Sequence, residues 1–157
     1  MTAGAVVGWR VVARKYAASA FDGEGARRSG GRFNSRGVPV VYASDALALA
    51  VLEVAVHLPS YRALRGRVAF RVGVPAALVE TVAEGELPAD WRSTPPPRSV
   101  QAFGDRWVRN GRSVALLVPS VLLPHHTNLV LNPAHPEFDR VQIGDPEPVP
   151  IDPRLVK

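Results

Sequence analysis

Glycine and proline interrupt this chain so often that long helices are excluded as its main structure. The 157 residues contain 13 glycines and 15 prolines. Proline lacks a backbone N–H and glycine loses the most conformational entropy on folding, so both weaken or end regular helices. A helical bundle or coiled coil needs uninterrupted helices, and this distribution argues against both. We therefore expect a mixed α and β protein with many turns.

Length, cysteine content and charge narrow the class of protein further. A chain of 157 residues that is 46% hydrophobic has room for one packed core, so we expect a single domain over residues 1–157. Cysteine is absent, which excludes disulfides, thiol nucleophiles and thiolate zinc sites. The net charge of +5 favours an anionic partner such as a nucleic acid, a nucleotide or an acidic protein.

The sequence contains no recognisable secretory signal or membrane-spanning segment. The first apolar run is broken by Trp9 and Arg10, and no later run approaches the roughly 20 apolar residues that a spanning helix needs. We therefore expect a soluble, cytoplasmic protein that does not act at a membrane.

Alternating or β-branched apolar residues predict the strands. Over residues 8–16, apolar and polar side chains alternate with the period of a strand that has one polar face. The proline-rich stretch 94–97 predicts a loop, and the prolines between 146 and 153 predict an extended strap, because repeated prolines fit neither a helix nor a central strand. The predicted strands cover residues 8–16, 38–42, 67–74, 113–123 and 128–132.

Polar capping residues next to apolar segments predict helices. Ser44 and Asp45 precede one such segment, and Ser99 opens another that ends at Gly111. Four glycines within residues 21–31 predict a loop whose backbone bends sharply. The predicted helices cover residues 46–57, 76–82 and 99–108.

One acidic residue stands alone in the first predicted helix. Glu53 is the only ionisable residue between Asp45 and His57, in a segment so apolar that we expect it to be largely buried. Because an unpaired buried carboxylate costs several kcal/mol, either a cation or hydrogen-bond donors must meet Glu53, or it must face a cleft. Arg32 or Arg10 could pair with it as part of the structure, and the same pair would also serve a functional site.

Three further residues have both a functional and a structural interpretation. Arg32 follows Gly30 and Gly31, so its guanidinium could bind phosphate from a tight turn, or it could be a solvated arginine on the surface. Tyr42 ends a predicted strand, and its ring could belong to the core or stack on a planar heterocycle. Ser120 has no Gly-x-Ser-x-Gly setting, so a hydrolase triad lacks support and a structural role is the default.

Known metal and nucleic-acid motifs are missing from the sequence. The histidines form no compact ligand pattern, and Glu53 with His57 lacks a third ligand, so we expect no metal site. Neither the dinucleotide fingerprint nor the P-loop occurs. The basic residues lack interleaved aromatic residues, so no direct binding to DNA is expected. The four histidines are His57, His125, His126 and His135.

An ordered series of short motifs along nearly the whole chain resembles the RES domain family, named for its arginine, glutamate and serine. These residues are here Arg32, Glu53 and Ser120, and Phe33 stands where many members carry tryptophan. The motifs that carry the resemblance are Phe21–Ala26, Gly30–Asn34, Val40–Ser44, Leu52–Glu53, Trp91–Arg92, Phe103–Trp107, Val118–Ser120 and Asn128–Pro133.

The resemblance implies a fold and an activity. The fold would be α+β, similar to ADP-ribosyltransferases, with mixed or antiparallel sheets and flanking helices. The protein would be the toxin of a bacterial toxin–antitoxin pair that cleaves NAD at the nicotinamide–ribose bond. NAD would be its substrate, with no separate cofactor, and its protein partner would be an Xre-type helix-turn-helix antitoxin.

The resemblance also assigns roles to the candidate residues. Glu53 would stabilise an oxocarbenium-like transition state and bind a ribose hydroxyl. Arg32 would hold the pyrophosphate, and Arg10 is a second candidate for substrate binding. Tyr42 would stack on nicotinamide, and Ser120 would hydrogen-bond the nicotinamide ribose or amide.

The acceptor of the ADP-ribose group is left open by the sequence. Water would give NAD hydrolysis, inorganic phosphate would give phosphorolysis, and a protein side chain would give ADP-ribosylation. We rank consumption of free NAD above protein modification. A ribonuclease toxin that uses Glu53 and His57, and a binding module without catalysis, are the alternatives from other classes.

Overall fold

The computed structural model describes residues 4–156, and one eight-stranded sheet organises them. Its strand order is β4-β5-β6-β2-β1-β3-β7, with β8 paired to the other end of β3. The strands are β1 (Ala5–Ala13), β2 (Val41–Ser44), β3 (Arg67–Pro75), β4 (Val79–Thr81), β5 (Ala115–Pro119), β6 (Thr127–Leu131), β7 (Gln142–Ile143) and β8 (Glu147–Pro148). The α-helices of this part of the chain are α1 (Glu24–Ser29), α2 (Leu47–Ala55) and α3 (Arg98–Asn110).

The sheet is mixed. Strands β4 and β5 are parallel, and the remaining neighbours pair antiparallel. This confirms the expected α+β architecture of a mainly antiparallel sheet with flanking helices.

Strand register places several polar residues side by side at one end of the central strands. Ser44, the last residue of β2, pairs with Asn128 of β6, and Val118 of β5 pairs with the same Asn128. Ser120 follows directly after β5. Because paired residues point to the same side of a sheet, Ser44 and Asn128 share one face.

Both long helices cover this same face. Residues that alternate along a strand point to opposite faces, so Val130 lies on the face of Asn128 whereas Leu129 lies on the other. Val130 packs with Val100 and Trp107 of α3. Helix α2 packs Ala50 against Val11 of β1. The polar residues at the strand ends therefore lie on the helix-covered face.

Helix α2 is less buried than the sequence predicts. Its buried residues are Leu49 and Ala50, whereas Leu52 on the helix and Val56 just after it are exposed. The helix lies on the sheet through one side only, and its opposite side faces outward. The expectation that an apolar helix must be largely buried is wrong here.

Two secondary-structure predictions are wrong. The predicted loop 21–31 contains helix α1, in which Glu24 forms ion pairs with Arg27 and Arg28 at helical spacing. The predicted helix 76–82 is a short 3-10 turn followed by β4, which is held by parallel pairing to β5.

The predicted N-caps are also wrong, because their side chains bind elsewhere. Helix α2 is capped by Ala46, and the Asp45 carboxylate accepts a hydrogen bond from Thr127 N at 2.8 Å. Helix α3 is capped by Pro97, and Ser99 Oγ donates to Asp90 Oδ1. The predicted end of α3 is confirmed, with Gly111 at φ 62°.

The proline-rich end of the chain forms the expected extended strap. Its strand β8 lies along β3, and the extended segment ends where a short 3-10 helix begins at Pro153. Within residues 4–156, no helix is long and apolar enough to cross a membrane.

Candidate functional site

Glu53 is met by hydrogen-bond donors and not by a cation. It lies on α2, and its Oε1 accepts hydrogen bonds from Asn128 Nδ2 at 2.8 Å and from Ser120 Oγ at 3.4 Å. No residue between 4 and 156 forms a salt bridge with it or donates a hydrogen bond to its Oε2. One carboxylate oxygen is therefore anchored, and the other remains available to a ligand.

Ser120 is buried and uses its hydroxyl group within the protein. Ser120 is only 1% exposed. The hydroxyl oxygen accepts hydrogen bonds from Leu122 N and Leu123 N at 3.1 and 3.2 Å, and its proton points to Glu53. In this arrangement Ser120 orients Glu53, and its contact with a ligand stays a prediction.

Arg32 lies near Glu53 but binds a neighbouring loop. Its Nη1 donates to Trp91 O at 2.7 Å and Ser93 O at 2.8 Å, and its Nη2 donates to Thr94 Oγ1 at 3.3 Å. Partial burial lowers the pKa of the Arg32 guanidinium, and the nearby charge of Glu53 opposes that change. Arg32 thus holds the proline loop, defined as residues 91–97, beside the site.

Tyr42 connects the sheet to the arginine loop, defined as residues 30–35. Its hydroxyl donates to Asn34 Oδ1 at 2.7 Å and accepts from Phe33 N at 3.0 Å. Burial raises the pKa of the Tyr42 hydroxyl above its ordinary value. The ring packs partly against the core cluster that contains Phe33, so its predicted core role is confirmed and ligand stacking stays a prediction.

Helix α3 fixes the arginine loop from the other side. Gln101 Nε2 donates to Gly31 O at 2.9 Å, and Asp105 Oδ1 accepts from Ser35 N at 2.9 Å. Gly104 lies between them against the Phe33 backbone, where a Cβ would be 1.8 Å from Phe33 O. These three residues share one helix face because they are spaced by three and four positions.

Gly31 is needed for the close approach of the arginine loop to Tyr42. A Cβ at this position would be 2.7 Å from Tyr42 Oη and 2.8 Å from Asn34 Oδ1. The sequence expectation of tight backbone geometry at this glycine is confirmed, and its cause is the tyrosine hydroxyl.

Arg10 is tied to backbone carbonyl groups. Its Nε donates to Ala20 O at 2.6 Å and its Nη1 donates to Tyr42 O at 2.9 Å. Burial lowers the pKa of Arg10 to about 10, and the Asp22 carboxylate opposes this change. Arg10 therefore links β1 to the strand that carries Tyr42, and direct contact with a substrate stays a prediction.

The sequence missed two polar residues of this site. Asn128 was assigned only to a strand and Ser44 only to a helix start, yet Asn128 donates to Glu53 and Ser44 Oγ donates to Asn128 Oδ1. The histidines contribute no metal ligand cluster: in the described part of the chain, no three His, Asp or Glu residues are grouped to hold a metal ion. His126 contacts Asp45 at 3.2 Å.

The fold and these residues define a class of small α+β domain that carries its arginine, glutamate and serine in that order. Residues 7–152 match the model of the RES domain, and the chain belongs to the RES domain family.

Several proteins resemble the chain over most of its length. A protein of Sphingobium sp. (strain YBL2) named Prs ADP-ribosylating toxin is 39% identical over 154 residues, covering 95% of this chain and 96% of its own. A protein of Yersinia enterocolitica named Toxin Res is 34% identical over 148 residues, covering 94% and 97%. A chain in the crystal structure of the M. tuberculosis MbcT–MbcA toxin–antitoxin complex superposes with a TM-score of 0.71 at 20% identity, covering 92% of this chain and 84% of that chain. This last likeness establishes the fold alone.

Proposed function

We propose that this protein is the toxin of a toxin–antitoxin pair and that it cleaves NAD at the nicotinamide–ribose bond. The family and the names of its relatives support the toxin role. The observation that carries the chemistry is the Glu53 carboxylate, which is anchored through Oε1 while Oε2 accepts no hydrogen bond from residues 4–156.

A carboxylate with one anchored oxygen and one free oxygen suits cleavage of the nicotinamide–ribose bond. When the bond breaks, its electron pair leaves with nicotinamide, which departs as a neutral molecule, and positive charge develops on the ribose. Glu53 Oε2 would bind a ribose hydroxyl and stabilise that charge. Because Oε1 is already held, the Glu53 carboxylate needs little reorientation to reach its position in the transition state.

The neighbouring residues supply binding. Tyr42 would stack on the nicotinamide ring, and Arg32 would bind the pyrophosphate. Because the Arg32 guanidinium donates to the carbonyl groups of Trp91 and Ser93, a pyrophosphate would have to share or replace these contacts. Arg10 and Ser120 would act through Tyr42 and Glu53, which they contact.

The acceptor is proposed to be inorganic phosphate or water, so that free NAD is consumed. Modification of a protein is the second candidate, favoured by the relative that is named an ADP-ribosylating toxin. All three acceptors share the same first step. In each case a nucleophilic atom of the acceptor forms a new bond to C1′ as the bond to nicotinamide breaks, and any proton on that atom passes to solvent.

The proposed protein partner is an antitoxin of the Xre helix-turn-helix type. A toxin that consumes NAD needs an inhibitor in the cell that makes it. The fold is shared with a chain of a toxin–antitoxin complex, which supports an antitoxin as the partner, and the Xre type rests on the family resemblance alone.

The test is nicotinamide release from NAD by the purified protein, with and without inorganic phosphate. Wild-type protein should release nicotinamide, and Glu53→Gln should lower the rate by about 100-fold or more while the protein stays folded. Glu86→Gln is the matched control, because Glu86 is exposed, lies outside α2 and the arginine loop, and makes the same change of charge. Phosphate-dependent release would identify phosphorolysis, and phosphate-independent release would identify hydrolysis.

Three results would contradict the proposal. The first is near-wild-type nicotinamide release by Glu53→Gln. The second is cleavage of RNA, but not of NAD, by the wild-type protein, which would identify a ribonuclease. The third is cleavage of neither substrate by the wild-type protein, which would favour a binding module.

A further inference from the structure

A short chain of hydrogen bonds leads from the sheet to the carboxylate of Glu53. Ser44 Oγ donates to Asn128 Oδ1 at 2.7 Å, and Asn128 Nδ2 donates to Glu53 Oε1 at 2.8 Å. Ser44 and Asn128 are paired residues on adjacent strands, and Ser44 is only 3% exposed. The sheet register thus fixes the positions of Ser44 and Asn128, where this series of hydrogen bonds begins.

The chemistry of the three groups gives the chain one direction. An ionised carboxylate accepts hydrogen bonds and donates none, so the amide group of Asn128 must turn its NH₂ towards Glu53. The amide oxygen then faces Ser44, whose hydroxyl proton it accepts. In the opposite amide orientation, the oxygen of Asn128 would face the oxygen of Glu53, and both would lack a proton.

Asn128 also makes the shorter of the two contacts to Glu53. The Asn128 hydrogen bond is 2.8 Å long, whereas that of Ser120 is 3.4 Å long. A hydrogen bond to a charged acceptor is stronger at the shorter distance. Ser120 belongs to the family motif, yet the geometry gives Asn128 the larger part in holding the carboxylate.

We infer that Asn128 is a positioning residue for Glu53, and that Ser44 sets the direction of its amide group. Asn128 holds Oε1 so that Oε2 is left free for the ligand. The consequence for catalysis rests on the proposed function. The hydrogen bonds themselves are tested without it.

Other charged groups near Glu53 have to be distinguished from Asn128 in any pH experiment. Arg32 of the arginine loop acts on Glu53 through space. Asp45 and His57 flank α2, and His126 contacts Asp45 just before β6. None of these residues forms a salt bridge with Glu53 in the part of the chain that the structure describes.

The first experiment measures the kinetics of nicotinamide release. Asn128→Ala should lower kcat by about 10-fold to 100-fold, the effect of losing one charge-assisted hydrogen bond, and should change KM less. Ser44→Ala should lower kcat by about 2-fold to 10-fold, and Ser44→Thr, which keeps the hydroxyl group, should restore it.

A charged replacement tests the direction of the effect. In Asn128→Asp, a second carboxylate faces Glu53, so the acid limb of the activity profile should move upward by about one pH unit or more. Asn110→Asp, the same change at an exposed position on α3, should leave the limb in place. Wild-type kcat in Asn128→Ala, or an unmoved acid limb in Asn128→Asp, would overturn the inference.

The second experiment does not depend on catalysis. The side-chain amide resonances of Asn128, followed by ¹⁵N NMR in the whole protein, should shift with pH as Glu53 ionises, and Glu53→Gln should abolish that shift. The Glu53→Gln comparison separates Glu53 from His126 and Asp45. If the Asn128 resonances do not respond to Glu53, the inference is wrong whatever the activity. If they respond while the wild-type protein leaves NAD intact, the contact stands and the proposed function fails.

Discussion

Tyr42 illustrates how much of the site depends on one hydroxyl group. It donates to Asn34 and accepts from the backbone N–H of Phe33, so a single side chain of β2 fixes two consecutive residues of the arginine loop. Asn34 in turn donates to three carbonyl groups, those of Ala26, Ser35 and Val38. The arginine loop is therefore held by a buried polar network whose members satisfy one another.

We predict that Tyr42→Phe destabilises the protein at neutral pH. The substitution leaves Asn34 Oδ1 and Phe33 N without their partner, and both residues are buried. The free energy of unfolding, measured in urea, should fall by about 1–3 kcal/mol, the cost of buried polar groups that lose a hydrogen bond. Tyr16→Phe is the matched control, because Tyr16 is exposed and should change stability little.

The pH dependence of this difference has a defined sign. Burial raises the pKa of Tyr42 in the folded protein, whereas a tyrosine in the unfolded protein has its usual pKa of about 10. Below that pH both states keep the proton, and above it the unfolded state gains stability by ionising. The wild-type protein should therefore lose stability faster than Tyr42→Phe as the pH rises above about 10. Parallel stability curves from pH 9 to 11 would contradict the burial of this hydroxyl.

At the scale of elements, helix α3 positions the arginine loop through direct backbone contact at Gly104, where no side chain separates the helix from the loop. The helix backbone lies against Phe33 O, and Gln101 and Asp105 bind the loop on either side. Helix α3 also packs Trp107 into the core cluster beneath it. A shift of this helix would therefore move Arg32 relative to Glu53.

We predict that Gly104→Ala is strongly destabilising. A Cβ would lie 1.8 Å from Phe33 O, so the helix or the loop must move, and overpacking of this kind typically costs about 1–3 kcal/mol or more. Gly25→Ala is the control: it lies in α1, has open space around its Cβ position, and should gain about 0.5–1 kcal/mol from helix propensity. Urea unfolding of both variants measures the contrast. Equal stabilities would contradict the close approach of α3.

The elements that could be predicted from the sequence are those whose signal is local. The segments of β1, α2, β3, α3, β5 and β6 carry their own apolar period. Strand β4 escaped prediction because its partner β5 is distant in sequence. Helix α1 escaped prediction because the glycines around it favour a loop, although Glu24, Arg27 and Arg28 have helical spacing. Glu53 could be identified from its isolation among apolar residues. Asn128 could not, because its role follows from pairing with Ser44 across the sheet.

At the scale of the whole molecule, the outer side of α2 forms an exposed apolar surface beside the site. Leu52, Val56 and Tyr61 are 37%, 55% and 50% exposed, and they line a shallow depression of about 250 Å³. We call these three residues the α2 patch. The exposed basic residues Arg62 and Arg65 follow it. An apolar surface with a basic edge suits a partner that carries apolar and acidic residues.

The α2 patch lies close to Glu53, because Val56 follows Glu53 by three residues with helical backbone angles, a spacing that makes the two side chains neighbours. A partner seated on the patch would therefore reach the site without unfolding it. We expect the proposed antitoxin to contact this surface and to cover Arg32 and Glu53.

We predict that Val56→Glu weakens binding of the cognate antitoxin by about 10-fold or more, because it places a charge in an apolar interface and repels an acidic partner. Ile143→Glu is the control, since Ile143 is an exposed apolar residue on β7, away from α2.

Calorimetric titration with the antitoxin measures the affinities, and equilibrium dialysis should find that the wild-type complex no longer binds NAD. Unchanged affinity in Val56→Glu would exclude the α2 patch from the interface. Tight binding of NAD by an inhibited complex would mean that the antitoxin distorts the site from a distance instead of covering it.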